Sequence, residues 1–86
     1  MRNSNSETIN LENHFITSDF QLASTLATLG FELNFIDKDN PQRATFYFCQ
    51  NKGLSETVES FFLGKALVDP RVFSMNQKLI KSRILQ

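Results

Sequence analysis

Residues 15–48 have the sequence FITSDFQLASTLATLGFELNFIDKDNPQRATFYF. This stretch predicts a helix that passes through a glycine into a strand, followed by a proline-containing turn and a second strand. Ser18 and Gln21 fit a capping box, in which the Ser18 hydroxyl accepts a hydrogen bond from the backbone NH of Gln21. Gly30 stands where a left-handed residue commonly ends a helix. We therefore expect the rest of the chain to cover the apolar surface of this unit.

The two predicted strands are recognised by their alternating apolar residues, which are Phe31, Leu33 and Phe35 and then Ala44, Phe46 and Phe48. Residues 37–42 predict a turn, because Pro41 has no backbone NH to give to a strand ladder. The two strands should therefore pair as an antiparallel hairpin. Two strands alone are marginally stable in water, so helices are expected to cover their phenylalanine face. Phe15 and Ile16 are expected to form a short extended segment before the first helix.

The second half of the chain predicts two more helices. One follows Ser55, a candidate N-cap, and ends at Gly64. The other begins at Asp69-Pro70, where Asp favours the N-cap and Pro the first helical position, and it runs to Leu85. The fold class is therefore α+β, in one domain over residues 14–86 with the order α-β-β-α-α, after a flexible tail over residues 1–13. Nine phenylalanines spread over these elements favour one shared core.

The last predicted helix has a broad apolar arc, made of Val72, Phe73, Met75, Leu79, Ile80 and Ile84. Asn76 and Arg83 project from within this arc. A buried guanidinium is costly unless it is paired. Three possibilities remain open for Arg83. It forms an ion pair with an acid such as Asp19, Glu32 or Asp69, it lies at a frayed helix end, or it lies at a protein interface.

Composition excludes several classes of protein. The formal net charge is zero, which argues against a non-specific electrostatic grip on nucleic acid or an anionic membrane. The charge is uneven, however: residues 1–42 hold six acids and two bases, whereas residues 43–86 hold three acids and seven bases. A single cysteine excludes an internal disulfide. With no apolar signal segment or membrane span in the sequence, we expect a cytoplasmic protein.

The residues that could support catalysis are few. His14 and Cys49 are the single histidine and the single cysteine, and a nucleophilic pair needs both together with an orienting third group. We expect His14 at the edge of the flexible tail, a poor place to hold geometry, and Cys49 as a small core residue on a strand. An enzyme is therefore not expected.

No cofactor or metal site is expected either. Asp37 and Asp39 resemble the start of a calcium loop, but Gln42 and Phe48 stand where that loop requires Gly and Glu. The two carboxylates are expected to cap the turn instead. The three glycines are isolated and form no phosphate-binding loop, and no set of zinc ligands is present. No small-molecule substrate is expected.

Two surfaces remain as candidates for binding. The first is a basic and aromatic set that could contact a partner or a nucleic acid, consisting of Arg43, Tyr47, Arg71, Lys78, Lys81 and Arg83. The alternative for this set is an ordinary solvated helix face. The second is the hydroxyl-rich face of the first helix, consisting of Gln21, Ser24, Thr25 and Thr28. This face carries no charge, so it is either plain surface or a protein-contact face whose short side chains permit close approach.

A set of short motifs resembles a known family. The matching residues are Ser18-Asp19, Leu22-Ala23, Gly30-Phe31, Ile36-Asp37, Asn40-Pro41, Arg43, Phe46, Phe48, Val68-Asp69-Pro70, Lys78, Lys81, Ser82 and Arg83. Over residues 15–85 the chain resembles a small uncharacterised bacterial and phage domain family, a domain of unknown function often encoded in phages and mobile elements. The family's typical aromatic near the second helix is represented by Phe61-Phe62. The resemblance implies a bacterial or phage setting and no assigned activity; Asp37, Arg43 and Arg83 are then either scaffold or site residues.

The function that follows from these observations is a small non-enzymatic interaction module, an accessory or modulator of a larger protein assembly. A protein partner or self-association is expected, and no membrane. The alternative is a nucleic-acid-binding accessory protein that uses the basic last helix and the hairpin.

Overall fold

The computed structural model describes residues 13–40 and 42–86. Its elements in chain order are strand β1 (His14–Thr17), helix α1 (Phe20–Thr28), strands β2 (Leu33–Asp37) and β3 (Thr45–Cys49), and helices α2 (Leu54–Phe62) and α3 (Pro70–Leu85). The fold is α+β, as predicted, with one strand more than expected. Most of the predicted tail, residues 1–12, and Pro41 of the predicted turn lie outside the described residues.

The additional strand is β1, which pairs with β3. The three strands form an antiparallel sheet in the order β1-β3-β2. Phe15 lies opposite Phe48 and Ile16 opposite Tyr47, so β1 alternates between the two faces like its neighbour. The sequence predicted only a short extended segment here. Because β3 pairs on both sides, its phenylalanines lie in the middle of the sheet.

Strand β2 contains an irregularity that changes which side chains face the core. The pairing register with β3 shifts between Leu33 and Phe35, which leaves Asn34 as an extra residue. One extra residue reverses the alternation. Ile36 is therefore buried, whereas Phe35 lies opposite Tyr47 and is 42% exposed. The prediction that Phe35 packs in the core is wrong for this reason.

The core lies between the sheet and the helices. Its buried residues are Leu22, Ala23, Leu26, Ile36, Ala44, Phe46, Phe48, Leu54 and Ile80. Phe15, Phe20, Phe31 and Phe61 pack against them. Every strand and helix thus contributes to one core. Phe62 departs from the prediction, since it is 65% exposed.

The helix caps follow the prediction at α3 and differ at α1 and α2. Asp69 accepts a hydrogen bond from the backbone NH of Arg71 at 2.9 Å, as expected of an N-cap. The N-cap of α1 is Asp19, whose Oδ1 accepts from the NH of Leu22, and Ser18 instead shares a hydrogen bond of 3.2 Å with Thr45. The N-cap is therefore displaced by one residue from the prediction, and no capping box forms, because Leu22 at the third helical position has no polar side chain to complete it.

Helix α2 begins directly after a glycine. Its N-cap is Gly53, with φ of 88°, and Ser55 lies within the helix instead of capping it. The left-handed conformation at this position favours glycine.

Across residues 13–40 and 42–86, no helix is both long and apolar enough to cross a membrane.

Candidate functional site

The hydroxyl-rich face of α1 is covered by the chain's own last helix. Ser24 and Thr25 are buried. Gln21 accepts from Gln77 Nε2 at 3.3 Å, and Thr28 Oγ1 accepts from Asn76 Nδ2 at the same distance. The expectation that this face meets a separate partner is therefore wrong for Ser24 and Thr25. The short side chains do permit close approach, but the approaching element is α3.

Helix α3 leaves much of its apolar surface uncovered. Ile80 is its one buried residue, in a helix that the structure describes in full. Val72 is 40% exposed, and Met75 and Leu79 are each 60% exposed. We call these three residues the α3 stripe. The sequence predicted one apolar arc that includes these three residues and Ile80, but α1 covers only one side of that arc.

The charged residues of α3 are all basic. They are Arg71, Lys78, Lys81 and Arg83, and all are exposed. Arg71 lies 4.0 Å from Asp69, with 91% of the Arg71 side chain and 51% of the Asp69 side chain exposed, so this ion pair contributes little. It is the single ion pair among the described residues.

Arg83 makes no ion pair with Asp19, Glu32 or Asp69, the first of the three possibilities that the sequence left open. Its side chain is exposed, and no carboxylate of the described residues pairs with it. Its backbone oxygen instead accepts a hydrogen bond of 2.9 Å from Lys38 Nζ. Lys38 Nζ also donates to the carbonyl oxygen of Gln86 at 3.4 Å, so its positive charge lies at the negative end of the α3 dipole.

A groove of about 480 Å³ runs beside the α3 stripe. Its apolar lining includes Ala27, Phe31 and Leu33 from α1 and the residues around β2, together with Leu79 of the stripe. Arg83 stands at the same groove. The stripe and the groove thus form one continuous uncovered surface with a base beside it.

The predicted basic and aromatic set is divided between two sides of the molecule. Arg43 and Lys81 line one groove of about 320 Å³, whose walls include Phe20, Phe46 and Ile84. Tyr47 alternates with the buried Phe46 and Phe48, so it faces away from the core. Tyr47 therefore does not share a surface with the bases of α3.

The outer face of the sheet carries three rings instead. Tyr47 packs edge-to-face with Phe35 at a centroid distance of 5.5 Å and with His14 at 6.2 Å. Such pairs are stabilising in this geometry. Sequence reasoning missed the cluster because it placed Phe35 in the core and His14 at the edge of the tail.

His14 and Cys49 lie opposite each other in the sheet, on β1 and β3. His14 Nε2 is 3.1 Å from Asn34 Nδ2, and the Cys49 thiol donates to the carbonyl oxygen of Gln50 at 3.6 Å. His14 is therefore held within strand β1, whereas residues 1–12 of the predicted tail lie outside the described residues. Cys49 lies on the outer face of the sheet, so its prediction as a core residue is wrong. At Asp37, Oδ1 accepts from the NH of Asp39, as expected of a turn-capping carboxylate.

Comparison with known families assigns this chain to a family. The model for a domain of unknown function, DUF5659, matches residues 12–86. The chain belongs to this family. The match covers all six elements, so the sheet, the α3 stripe and both grooves belong to the family's domain. No curated protein and no solved structure matched the chain.

The sequence contains one signal of the α3 stripe, although it does not show which half of the apolar arc stays exposed. An apolar arc of six residues is wider than one neighbouring helix covers, and the polar Asn76 and Arg83 lie within it. These two residues mark the boundary between the covered and the uncovered half of the arc.

Proposed function

We propose that the chain is a small non-enzymatic interaction module that binds another protein through the α3 stripe. The observation that carries the proposal is the exposure of Val72, Met75 and Leu79, side by side on a helix whose adjoining side is already packed on α1. A contiguous exposed apolar patch rimmed by polar residues is typical of a protein-contact surface. The adjoining groove enlarges the apolar area that a partner could cover.

The biological setting that we propose is the cytoplasm of a bacterium, with the module serving as an accessory or modulator of a larger assembly encoded by a phage or mobile element. The support for this setting is the resemblance over residues 15–85 to domains found in such elements. Membership in a family of unknown function is compatible with this role and does not specify it.

Site-specific photo-crosslinking tests the proposal. A photoreactive residue replaces Met75 in one version of the full chain and Glu59, an exposed residue of α2, in a matched control. In the native host, position 75 should form an adduct with one protein, and position 59 should not. Leu79→Ser should remove the adduct, because it shortens the apolar stripe. Equal adducts from both positions, or none from position 75, would contradict the proposal.

A second candidate function is the binding of single-stranded nucleic acid on the outer face of the sheet. The observation that favours it is the ring cluster of Tyr47, Phe35 and His14, because unpaired bases stack on aromatic side chains of exposed sheets. Arg43 and Lys81 line a groove on another side of the domain, so only a strand that continued from the rings around the edge of the domain would bring its phosphates to them.

Titration of a labelled single-stranded oligonucleotide tests this candidate. Tyr47→Ala should weaken binding about tenfold, since stacking contributes about 1–3 kcal/mol per base. Phe62→Ala removes another exposed ring and serves as the matched control. Binding should also weaken steeply with salt. If no complex forms at low salt, or if both variants weaken binding equally, nucleic-acid binding on this face is excluded.

A further inference from the structure

The α3 stripe has the spacing of a coiled-coil seam. Val72, Met75 and Leu79 are separated by three and then four residues, which is the a-d-a pattern of a heptad repeat. Ser82 and Gln86 continue the same positions toward the end of α3. All three apolar residues are at least 40% exposed, so residues 13–40 and 42–86 do not cover this seam.

The positions beside the seam are basic on both sides. In this register Arg71 and Lys78 occupy g positions, and Arg83 occupies an e position. Asn76, the other e position, is tied to Thr28 of α1. Residues at e and g form ion pairs across a coiled coil and thereby select the partner. The charged side chains at the e and g positions of α3 are therefore all positive, and they would contact the e or g residues of a partner helix.

A second copy of α3 is a poor partner for this seam. Two copies would bring their basic e and g positions together, in either helix direction, and no acid of α3 could offset the repulsion. The chain as a whole is neutral, so the repulsion is a local property of the seam.

We propose that the α3 stripe pairs with an acidic amphipathic helix of another protein. The partner's apolar a and d residues cover Val72, Met75 and Leu79, and its Glu or Asp residues at e and g meet Arg71, Lys78 and Arg83. The groove lined by Ala27, Phe31 and Leu33 receives an apolar side chain from the same helix. This inference rests on the proposed function and names the chemistry of its partner.

Two synthetic helices test the inference with the full-length chain. Both peptides carry about three heptads with Leu at a and d, and they differ only in having Glu or Lys at e and g. In fluorescence anisotropy, the Glu peptide should bind at least about tenfold more tightly than the Lys peptide, since each like-charged pair replaces an attractive one. Raising the salt concentration from about 50 mM to about 500 mM should reduce this preference.

Charge reversal on the protein sharpens the test. The triple variant Arg71→Glu, Lys78→Glu and Arg83→Glu should prefer the Lys peptide. The matched control reverses two exposed bases outside the seam, Lys52→Glu and Lys65→Glu, and should keep the original preference. Circular dichroism confirms that both variants are folded, which is expected because all five side chains are exposed.

Three outcomes would overturn the inference: no binding of the Glu peptide, equal binding of the two peptides, or an unchanged preference in the triple variant. Dimerisation of the chain alone, abolished by Leu79→Ser in sedimentation, would also overturn it in favour of a second copy. If the peptides fail but the residue at position 75 still crosslinks to a protein, the proposed function stands and the acidic helix is rejected.

Discussion

Helices α1 and α3 differ in how many of their residues they bury. Helix α1 has nine residues and buries five in succession, Leu22 to Leu26, including a serine and a threonine. Helix α3 has sixteen residues and buries only Ile80. The short helix with a polar face is thus the centre of the fold, and the long helix with the broad apolar arc is largely surface.

Position in the fold explains this difference. Helix α1 contacts both α2 and α3 and packs on the phenylalanines of the sheet, so nearly every direction around it is occupied. Helix α3 packs mainly on α1, so one side remains open. The number of neighbours decides burial here, and the hydrophobicity of the helix face does not. The apolar face of α3 is left open in this way, which is the basis of the proposed contact with a partner.

Truncation of one leucine in each helix should give the largest difference in the free energy of unfolding between α1 and α3. Leu26→Ala should lower the free energy of unfolding by about 2–5 kcal/mol, because Leu26 is fully buried and its removal leaves a cavity. Leu79→Ala should lower it by less than about 1 kcal/mol, because Leu79 is mostly exposed. Urea denaturation of both variants measures the difference. Similar losses would mean that Leu79 belongs to the core together with Ile80.

The two N-caps give a smaller contrast. Asp19→Ala should lower the free energy of unfolding by about 1 kcal/mol, because Asp19 Oδ1 satisfies the NH of Leu22 at the start of the central helix. Asp69→Ala removes the equivalent bond at α3 and should cost less, since the first turn of α3 is exposed and can fray alone. Thermal unfolding followed by circular dichroism compares them. A larger loss at Asp69 would contradict this order.

Much of the fold could be predicted from sequence because its signals are local. The cap and proline at Asp69-Pro70 set the start of α3, and the alternation of Phe46 and Phe48 set the inner face of β3. The displaced cap of α1 is an error of one residue in a signal that was otherwise present. Local chemistry decides such features, so a single sequence contains them.

The features that failed depend on contacts between distant segments. Strand β1 forms by pairing with the edge of β3 that β2 leaves free. The four residues of β1 alone do not reveal this pairing. The bulge at Asn34 exchanges the sheet faces on which Phe35 and Ile36 lie, and it arises only when β2 pairs with β3. Prediction of the candidate site from sequence failed for the same reason, because the exposure of the α3 stripe depends on what α1 and β2 leave uncovered.

The smallest expected effect concerns two hydroxyl groups of α1. Ser24 Oγ is buried with no hydrogen-bond partner in the part of the chain that the structure describes, whereas Thr28 Oγ1 accepts from Asn76 of α3. Ser24→Ala should raise the free energy of unfolding by about 0.5–1 kcal/mol, since it gains helix propensity and removes an unsatisfied group.

Thr28→Ala is the control for that change, because it gains similar propensity but loses the bond between α1 and α3. Its free energy of unfolding should therefore stay within about 0.5 kcal/mol of the parent. Chemical denaturation of the two variants side by side isolates the value of a partnered hydroxyl. If Ser24→Ala destabilises the chain, the Ser24 hydroxyl has a partner, and the interior around α1 is more polar than its neighbours suggest.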